Sequence, residues 1–307
     1  MEYLTTKNRK TFVYNVLSPD EQIKNLEQKG IIFEGNDKQE AELFFVGHSH
    51  FKINYHRQRF QEKREKKYVY QQWTTWSQLK NRYQLEFDLK KCFFGYVEMV
   101  EATFKNILCY HTCNNLGKIR WTDPTMITDA NTLAHILPIL ASCQEFIKWN
   151  LGNVDRKYAS IIKNYYHTYD DPPYPPFWNI MDFFTFGEMG YIYKGLADRI
   201  TKKQISNVYG VNPKQLEFLL SQAVIIRNIV YHDNHLLFHT VSKQSLVIIQ
   251  GNLQKISSVL PNIVYKGFVY AVAIIYTFLV PEGKADEFSQ DVKDIFDKYD
   301  LKEIKML

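Results

Sequence analysis

Residues 76–108 read WSQLKNRYQLEFDLKKCFFGYVEMVEATFKNIL, and the reading of this stretch decides the fold class. Leu79, Tyr83, Phe87, Phe94, Val97 and Phe104 follow one another at steps of three, four or seven. That is the return period of a helical face, not the alternation of a strand. The pattern continues in both directions. Upstream, Ser18-Pro19-Asp20-Glu21 opens a helix over 18–29, with Ser18 as N-cap, Pro19 at the first helical position and Gly30 closing it. Downstream, helices are predicted over 132–149, 159–169, 213–231 (begun by Asn212-Pro213), 244–260 and 264–280. In the tail, Phe288, Val292, Ile295, Phe296 and Tyr299 form one apolar stripe, which predicts an amphipathic helix docked on the body. The expected fold is all-α, a helical bundle with additional N-terminal helices.

The clearest interruption is Asp170-Asp171-Pro172-Pro173-Tyr174-Pro175-Pro176, because each proline disfavours α geometry in the residue before it. It reads as an extended connector between helical halves. Phe177, Trp178, Phe183, Phe184 and Phe186 follow at once and should pack, which argues against a flexible linker. The predicted organisation is therefore 1–75, an N-terminal helical, basic and aromatic segment; 76–280, a helical core with the connector 170–176; and 281–307, a C-terminal amphipathic helix.

Composition frames the possible functions. With 45% hydrophobic and 23% charged residues, the 307-residue chain is globular and not disordered. Most of the 21 Tyr, 21 Phe and 5 Trp are expected in the core, and a net charge of +5 permits a polyanionic partner without establishing one. Cys92, Cys109, Cys113 and Cys143 form no CxxC; Cys109 and Cys113, one helical turn apart on an apolar segment, read as core packing. The first ten residues are polar, with no apolar stretch after them that would make a secretory leader. The most apolar run, 268–280, is too short to span a bilayer and ends at Pro281, so it reads as a buried helix. A cytoplasmic protein with free thiols and no membrane association is expected.

Arg227-Asn228-Ile229-Val230-Tyr231-His232 carries the chemistry. An always-charged guanidinium follows the apolar run Ala223 to Ile226, where an unpaired charge is costly. Arg and His together supply what metal-free cleavage of RNA needs: neutralisation of a phosphate whose charge grows, and proton transfer near neutral pH. At about 100° per residue, Asn228 and His232 share a helix face while Arg227 and His232 stand roughly 140° apart. Asn228 can thus orient the imidazole. Arg227 meets the same phosphate only if the helix ends between them, or if two such helices are brought together by symmetry. The competing assignment is structural, with Arg227 paired to a buried acid and His232 at a helix C-terminus. On these six residues alone that assignment carries more weight. Glu98 and Glu101, at i and i+3 on the long helix, are placed to hold Arg227 or lysine side chains; a carboxylate pair for hydrolysis or metal binding is the alternative, which nothing else in the sequence supports.

Other constellations are weaker. His232, His235 and His239 fall at i, i+3 and i+7 beside Asp233, but 236–239 reads as extended and no HExxH is present, so no metal site and no cofactor are expected. His48 and His50 read as loop residues. Between 52 and 67 lie Lys52, Arg57, Arg59, Lys63, Arg64, Lys66 and Lys67 against Glu62 and Glu65, interleaved with or followed by Tyr55, Phe60, Tyr68, Tyr70, Trp73 and Trp76. Cations on phosphates and rings on bases suit RNA. A solvated helix face with its rings turned inward accounts for the same residues equally well.

These segments together resemble the abortive-infection proteins of the Abi-like type, built on the HEPN helical domain, over most of the chain. Leu17-Ser18-Pro19-Asp20-Glu21-Gln22-Ile23 is similar to the family's opening helix, and Phe87-Asp88-Leu89-Lys90-Lys91 with Val97-Glu98-Met99-Val100-Glu101 to its central acidic helix. Pro175-Pro176-Phe177-Trp178 and Phe184-Thr185-Phe186-Gly187 resemble its Pro-Trp and Phe-Gly segments, while Arg227, Asn228 and His232 match its RNxxxH signature. The chain departs from the family at His48–Tyr55, an approximate version of a tyrosine-rich segment, and at Lys105, where arginine is common.

The resemblance implies a homodimeric HEPN endoribonuclease of anti-phage or toxin–antitoxin defence, with one RNxxxH contributed by each subunit. Arg227, Asn228 and His232 would be catalytic, and RNA would be the substrate, with a small structured RNA as a possible regulator. For Arg57, Arg59, Lys63, Arg64, Lys66 and Lys67 the expected role is RNA binding. The alternatives are a non-catalytic RNA-binding module and a helical interaction protein in which Arg227 is a salt-bridge partner.

Overall fold

Ser18 accepts a hydrogen bond from the Glu21 backbone while the Glu21 carboxylate accepts from the Ser18 N–H, a capping box that starts α1 (Pro19–Gln28) where the sequence places it. The structure is a computed structural model. It describes residues 16–48, 50–64, 67–123, 130–149, 159–232, 234–237, 249–261 and 266–304.

Two short helices, α2 (Asp37–Gly47) and α3 (His50–Arg57), follow α1. His48 is the extended residue that ends α2, in keeping with the loop reading, whereas His50 opens α3 and is helical. Next comes an antiparallel hairpin, β1 (Gln61–Arg64) and β2 (Lys67–Tyr70), with Gln61 opposite Tyr70 and Arg64 opposite Lys67. The hairpin replaces the helix-face reading of this basic stretch for residues 61–64 and 67–70, while Lys52 and Arg57 do lie on a helix, α3. Phe60 and Tyr70 are buried at the hairpin base, and the Gln71 N–H donates to the Phe60 carbonyl at 2.7 Å. The long helix α4 (Trp76–Leu116) then begins, and its first turn is tied to the residues after α1: the Trp76 N–H donates to Ile32 O and the Ile32 N–H to Thr74 O, both at 2.9 Å.

The chain folds as two compact units. The first holds the described residues up to Leu85 together with 299–304, and the second runs from Glu86 to Lys298; α4 contributes 76–85 to one and 86–116 to the other. In the first unit, Ile23, Leu26, Phe45, Ile53, Phe60 and Trp76 form an apolar core. Phe44 meets the rings of Trp76 and Tyr83 edge-on at 5.5 and 5.1 Å. Arg82 is buried within this unit and donates to the Ile304 carbonyl at 2.8 Å, the kind of partner a buried guanidinium requires.

The second unit is built from the remainder of α4, α5 (Ala130–Trp149), α6 (Ala159–Thr168), α7 (Phe177–Ile180), α8 (Phe186–Gly195), α9 (Arg199–Val208), α10 (Pro213–Tyr231), α11 (Gln250–Val259), α12 (Lys266–Leu279) and α13 (Ala285–Asp297). Among the described residues the protein is all-α apart from the hairpin, as the spacing of 76–108 predicts. One detail of that spacing differs. Leu89, Phe93, Val97, Val100 and Phe104 are buried, whereas Phe87 and Phe94 face solvent.

The proline segment is a fixed connector. Tyr165 Oη donates to Pro172 O, Tyr166 Oη to Pro173 O and Trp121 Nε1 to Pro175 O, at 2.5, 2.9 and 2.9 Å. Helix α12 is buried from Ala271 through Leu279, and among the described residues no helix is long and apolar enough to cross a membrane. Helix α13 docks its predicted stripe: Phe288 meets Phe93 at 5.1 Å and Phe296 meets Phe268 at 5.6 Å. Asp291 on its polar side accepts from Tyr96 Oη at 2.6 Å.

Candidate functional site

Helix α10 presents RNIVYH. Asn212 caps it, accepting from the Gln215 N–H at 2.9 Å while the Gln215 side chain accepts in return, and Pro213 occupies the first turn. Leu216, Leu219, Leu220, Ala223, Ile226 and Val230 form its buried stripe, packed toward α8, α9 and α12. The Phe184–Gly187 segment positions one of these neighbours. Thr185 and Glu188 make a capping box at the start of α8, and a Cβ on Gly187 would lie 3.6 Å from Val224. Tyr231 is the last helical residue and His232 the C-cap, its N–H donating to Asn228 O at 3.0 Å. Leu236 and Leu237, fully buried, pin the outgoing chain.

Arg227 follows buried Ile226 at the edge of this stripe and is 24% exposed. Three groups hold it. Its Nε lies 3.6 Å from Glu101 Oε2, its Nη1 donates to Asn228 Oδ1 at 3.3 Å, and its Cζ sits 4.0 Å from the centroid of Tyr231, one turn along. Tyr231 in turn stacks with Phe94, centroids 4.7 Å apart and planes 28° apart. Glu101 also pairs with Lys105 at 3.0 Å. Two cations therefore share one carboxylate, and this half-buried cluster carries an excess positive charge that solvent screens only in part.

Of the acids proposed as partners for Arg227, Glu101 is brought to it; Glu98 is exposed. Arg227, Asn228 and His232 all lie at the C-terminal end of α10, but the Asn228 amide oxygen is engaged by Arg227 and not by the imidazole. His232 and Asn228 are exposed. Sequence reasoning missed Tyr231 and Phe94. The four-residue spacing from Arg227 to Tyr231 was the available signal for the first.

The histidine face considered for a metal does not continue past Tyr231, where the helix ends. His235 lies beyond it, with Nδ1 3.5 Å from Oε2 of buried Glu86, and Asp233 and His239 lie outside the described residues. Among the basic candidates, Arg59 and Lys63 are exposed, Arg64 and Lys67 are cross-strand partners at the turn end of the hairpin, and Lys66 lies outside the described residues. Arg57 closes α3 and lines a cavity of about 20 Å³ with Lys29, Gln22 and Asn54. Burial, and then the charge of Arg57, hold the Lys29 ammonium below the usual lysine range.

No curated protein and no solved structure matches the chain. A family model described as Abi-like protein matches residues 45–237, well over half of the chain. That span takes in the hairpin, α4, the proline connector and the RNIVYH end of α10, and the chain belongs to the Abi-like protein family.

Proposed function

We propose that this Abi-like protein is a HEPN-type endoribonuclease of abortive-infection defence, working as a homodimer whose site takes Arg227, Asn228 and His232 from each chain. Family membership supports the defence setting. The observation that carries the chemistry is the placement of exposed His232 at the end of the same helix that fixes the guanidinium of Arg227 against Tyr231 and Glu101. In the proposed reaction the substrate's 2′-hydroxyl oxygen attacks the adjacent phosphorus as one base removes its proton. The bond to the 5′-oxygen then breaks as an acid returns a proton there, leaving a 2′,3′-cyclic phosphate and a 5′-hydroxyl. Base and acid are two groups, and each chain supplies one imidazole at this position, which is the chemical reason to place two chains around one phosphate. Proton transfer by His232 is worth roughly 10²–10⁴-fold. Arg227, meeting the developing charge on the phosphorane oxygens, contributes about 3 kcal/mol. The side chains supply charge neutralisation and proton transfer themselves, so the reaction is expected to run in chelator. The test is incubation of purified protein with RNA in excess chelator. Cleavage that is lost in His232→Ala supports the mechanism, and cleavage that requires a divalent ion overturns it.

A second reading has its own support. Glu101 already neutralises part of the charge on Arg227, and Asn228 is turned to Arg227 and not to His232. Such a cluster suits holding a structured RNA without cutting it. RNA affinity that falls in Arg227→Ala, with no cleavage under any condition, would select this reading.

A further inference from the structure

We propose that Cys113 and Cys109 form a redox-reactive thiol pair on α4, in which Cys113 is modified by a low-molecular-weight disulfide and Cys109 then resolves the adduct as a reversible intrahelical disulfide. The two Sγ atoms are 3.9 Å apart, one helical turn from each other. Cys109 is buried and Cys113 half-buried, and both line an open groove of ≈ 420 Å³ walled by exposed Tyr110, Trp178 and Asn114 and half-buried Met181. One thiol is therefore presented to solvent and the other stands behind it, which separates an attacking from a resolving role.

The four thiols differ in their surroundings. The hydrogen bond from Cys109, then the Phe177 backbone N–H and the charge of Lys118, hold the Cys113 thiol below the usual range against its partial burial. The same hydrogen bond, and then burial, push Cys109 up. Burial pushes Cys143 up to about 11, and burial followed by the charge of Asp291 pushes Cys92 up to about 12. Because the thiolate is the nucleophile, reactivity concentrates at Cys113.

The exchange balances without any further oxidant. The Cys113 thiolate attacks one sulfur of the small disulfide, whose S–S bond breaks, and the first small thiol leaves with a proton. Cys109 then loses its proton and attacks Cys113 Sγ, expelling the second small thiol. Two protein thiols are oxidised and one disulfide is reduced to two thiols. Cα atoms four residues apart in a helix are roughly 6 Å apart, inside the roughly 4.4–6.8 Å range a disulfide spans. Cβ atoms at that spacing stand roughly 5–6 Å apart on a regular helix, beyond the roughly 3.5–4.5 Å a disulfide spans. Closing the sulfurs from 3.9 Å therefore requires this turn of the helix to distort as well as the side chains to rotate. The product is therefore strained and readily reduced, as regulatory disulfides are.

Glutathione disulfide is the probe, with products mapped by mass spectrometry on the full-length protein. The expected course is a mixed disulfide on Cys113, formed at least about tenfold faster than any on Cys92 or Cys143, followed by its loss as the Cys109–Cys113 disulfide closes. Cys109→Ser should trap the mixed disulfide, and Cys113→Ser should remove both products; wild-type time courses give the same order without any variant. First modification at Cys92 or Cys143, a mixed disulfide on Cys113 that never closes, or no reaction would each overturn the assignment.

Discussion

The guanidinium carbon of Arg227 sits 4.0 Å from the centroid of the Tyr231 ring, and this contact holds the cation in place at the end of α10. A planar guanidinium can stack on the ring and still offer N–H groups at its edge; a lysine ammonium cannot do both. Arg227→Lys is therefore expected to keep the fold and lower RNA cleavage about tenfold, the equivalent of about 1.4 kcal/mol. Thermal melting and single-turnover cleavage read the two effects separately. Unchanged cleavage would mean that the stack has no part in the chemistry.

In the proposed site, Glu101 would compete with RNA phosphate for Arg227, with which it pairs at 3.6 Å. Glu101→Gln keeps the side chain's volume, removes its charge and leaves Arg227 and Lys105 to a polyanion. A severalfold gain in RNA affinity at low salt is expected, together with a loss of about 1 kcal/mol in stability from the broken ion pairs. Filter binding across a salt series and urea melts check both. Lost stability with unaltered affinity would instead favour a purely structural Arg227.

Phe94 is 47% exposed although it stacks on Tyr231. Its spacing from Phe87 and Val97 predicts a core position, yet Phe93, the residue before it, takes that place. A 41-residue helix bearing rings on several faces cannot have its buried face assigned from spacing alone, because several stripes satisfy steps of three and four. The proline connector, the capped start of α10, the buried α12 and the docked α13 were legible for the opposite reason: each rests on a local signal such as a cap, a proline or a single stripe. The all-α class was legible because the helical period shows whichever face is buried. The hairpin was hidden because Lys and Arg crowd a run whose strand signal is only a few residues long. The site was half legible. Glu101 was in reach as an i, i+3 acid, but which group Asn228 orients depends on rotamers that spacing does not set.

Trp73 has φ +67° and is 73% exposed. A bulky residue in the left-handed region is strained, and burial offers this one little return. Trp73→Gly should raise stability by up to about 1 kcal/mol, measured as a higher urea midpoint at constant slope. If the ring stacks on bases beside the basic hairpin, the same variant weakens RNA binding. A drop in stability would show that the ring packs in a way its exposure does not suggest.

Asp198 caps α9, accepting the Thr201 N–H at 2.7 Å, and that backbone hydrogen bond holds its carboxyl below the usual range. A carboxylate favoured in the folded state contributes stability above its unfolded pKa of about 3.9, and the contribution is lost as pH falls through the lower folded value. Asp198→Ala is expected to cost about 1 kcal/mol at pH 7 and progressively less below pH ~4, so the wild-type and variant stability curves converge in acid. A constant difference at all pH values would place the effect elsewhere.

The most direct test of the account is the chemistry of the cut ends. RNA treated with wild-type protein in excess chelator should carry 2′,3′-cyclic phosphate and 5′-hydroxyl termini, and His232→Ala should leave the RNA intact. Fragments with 5′-phosphate ends, or equal cleavage by His232→Ala, would contradict it.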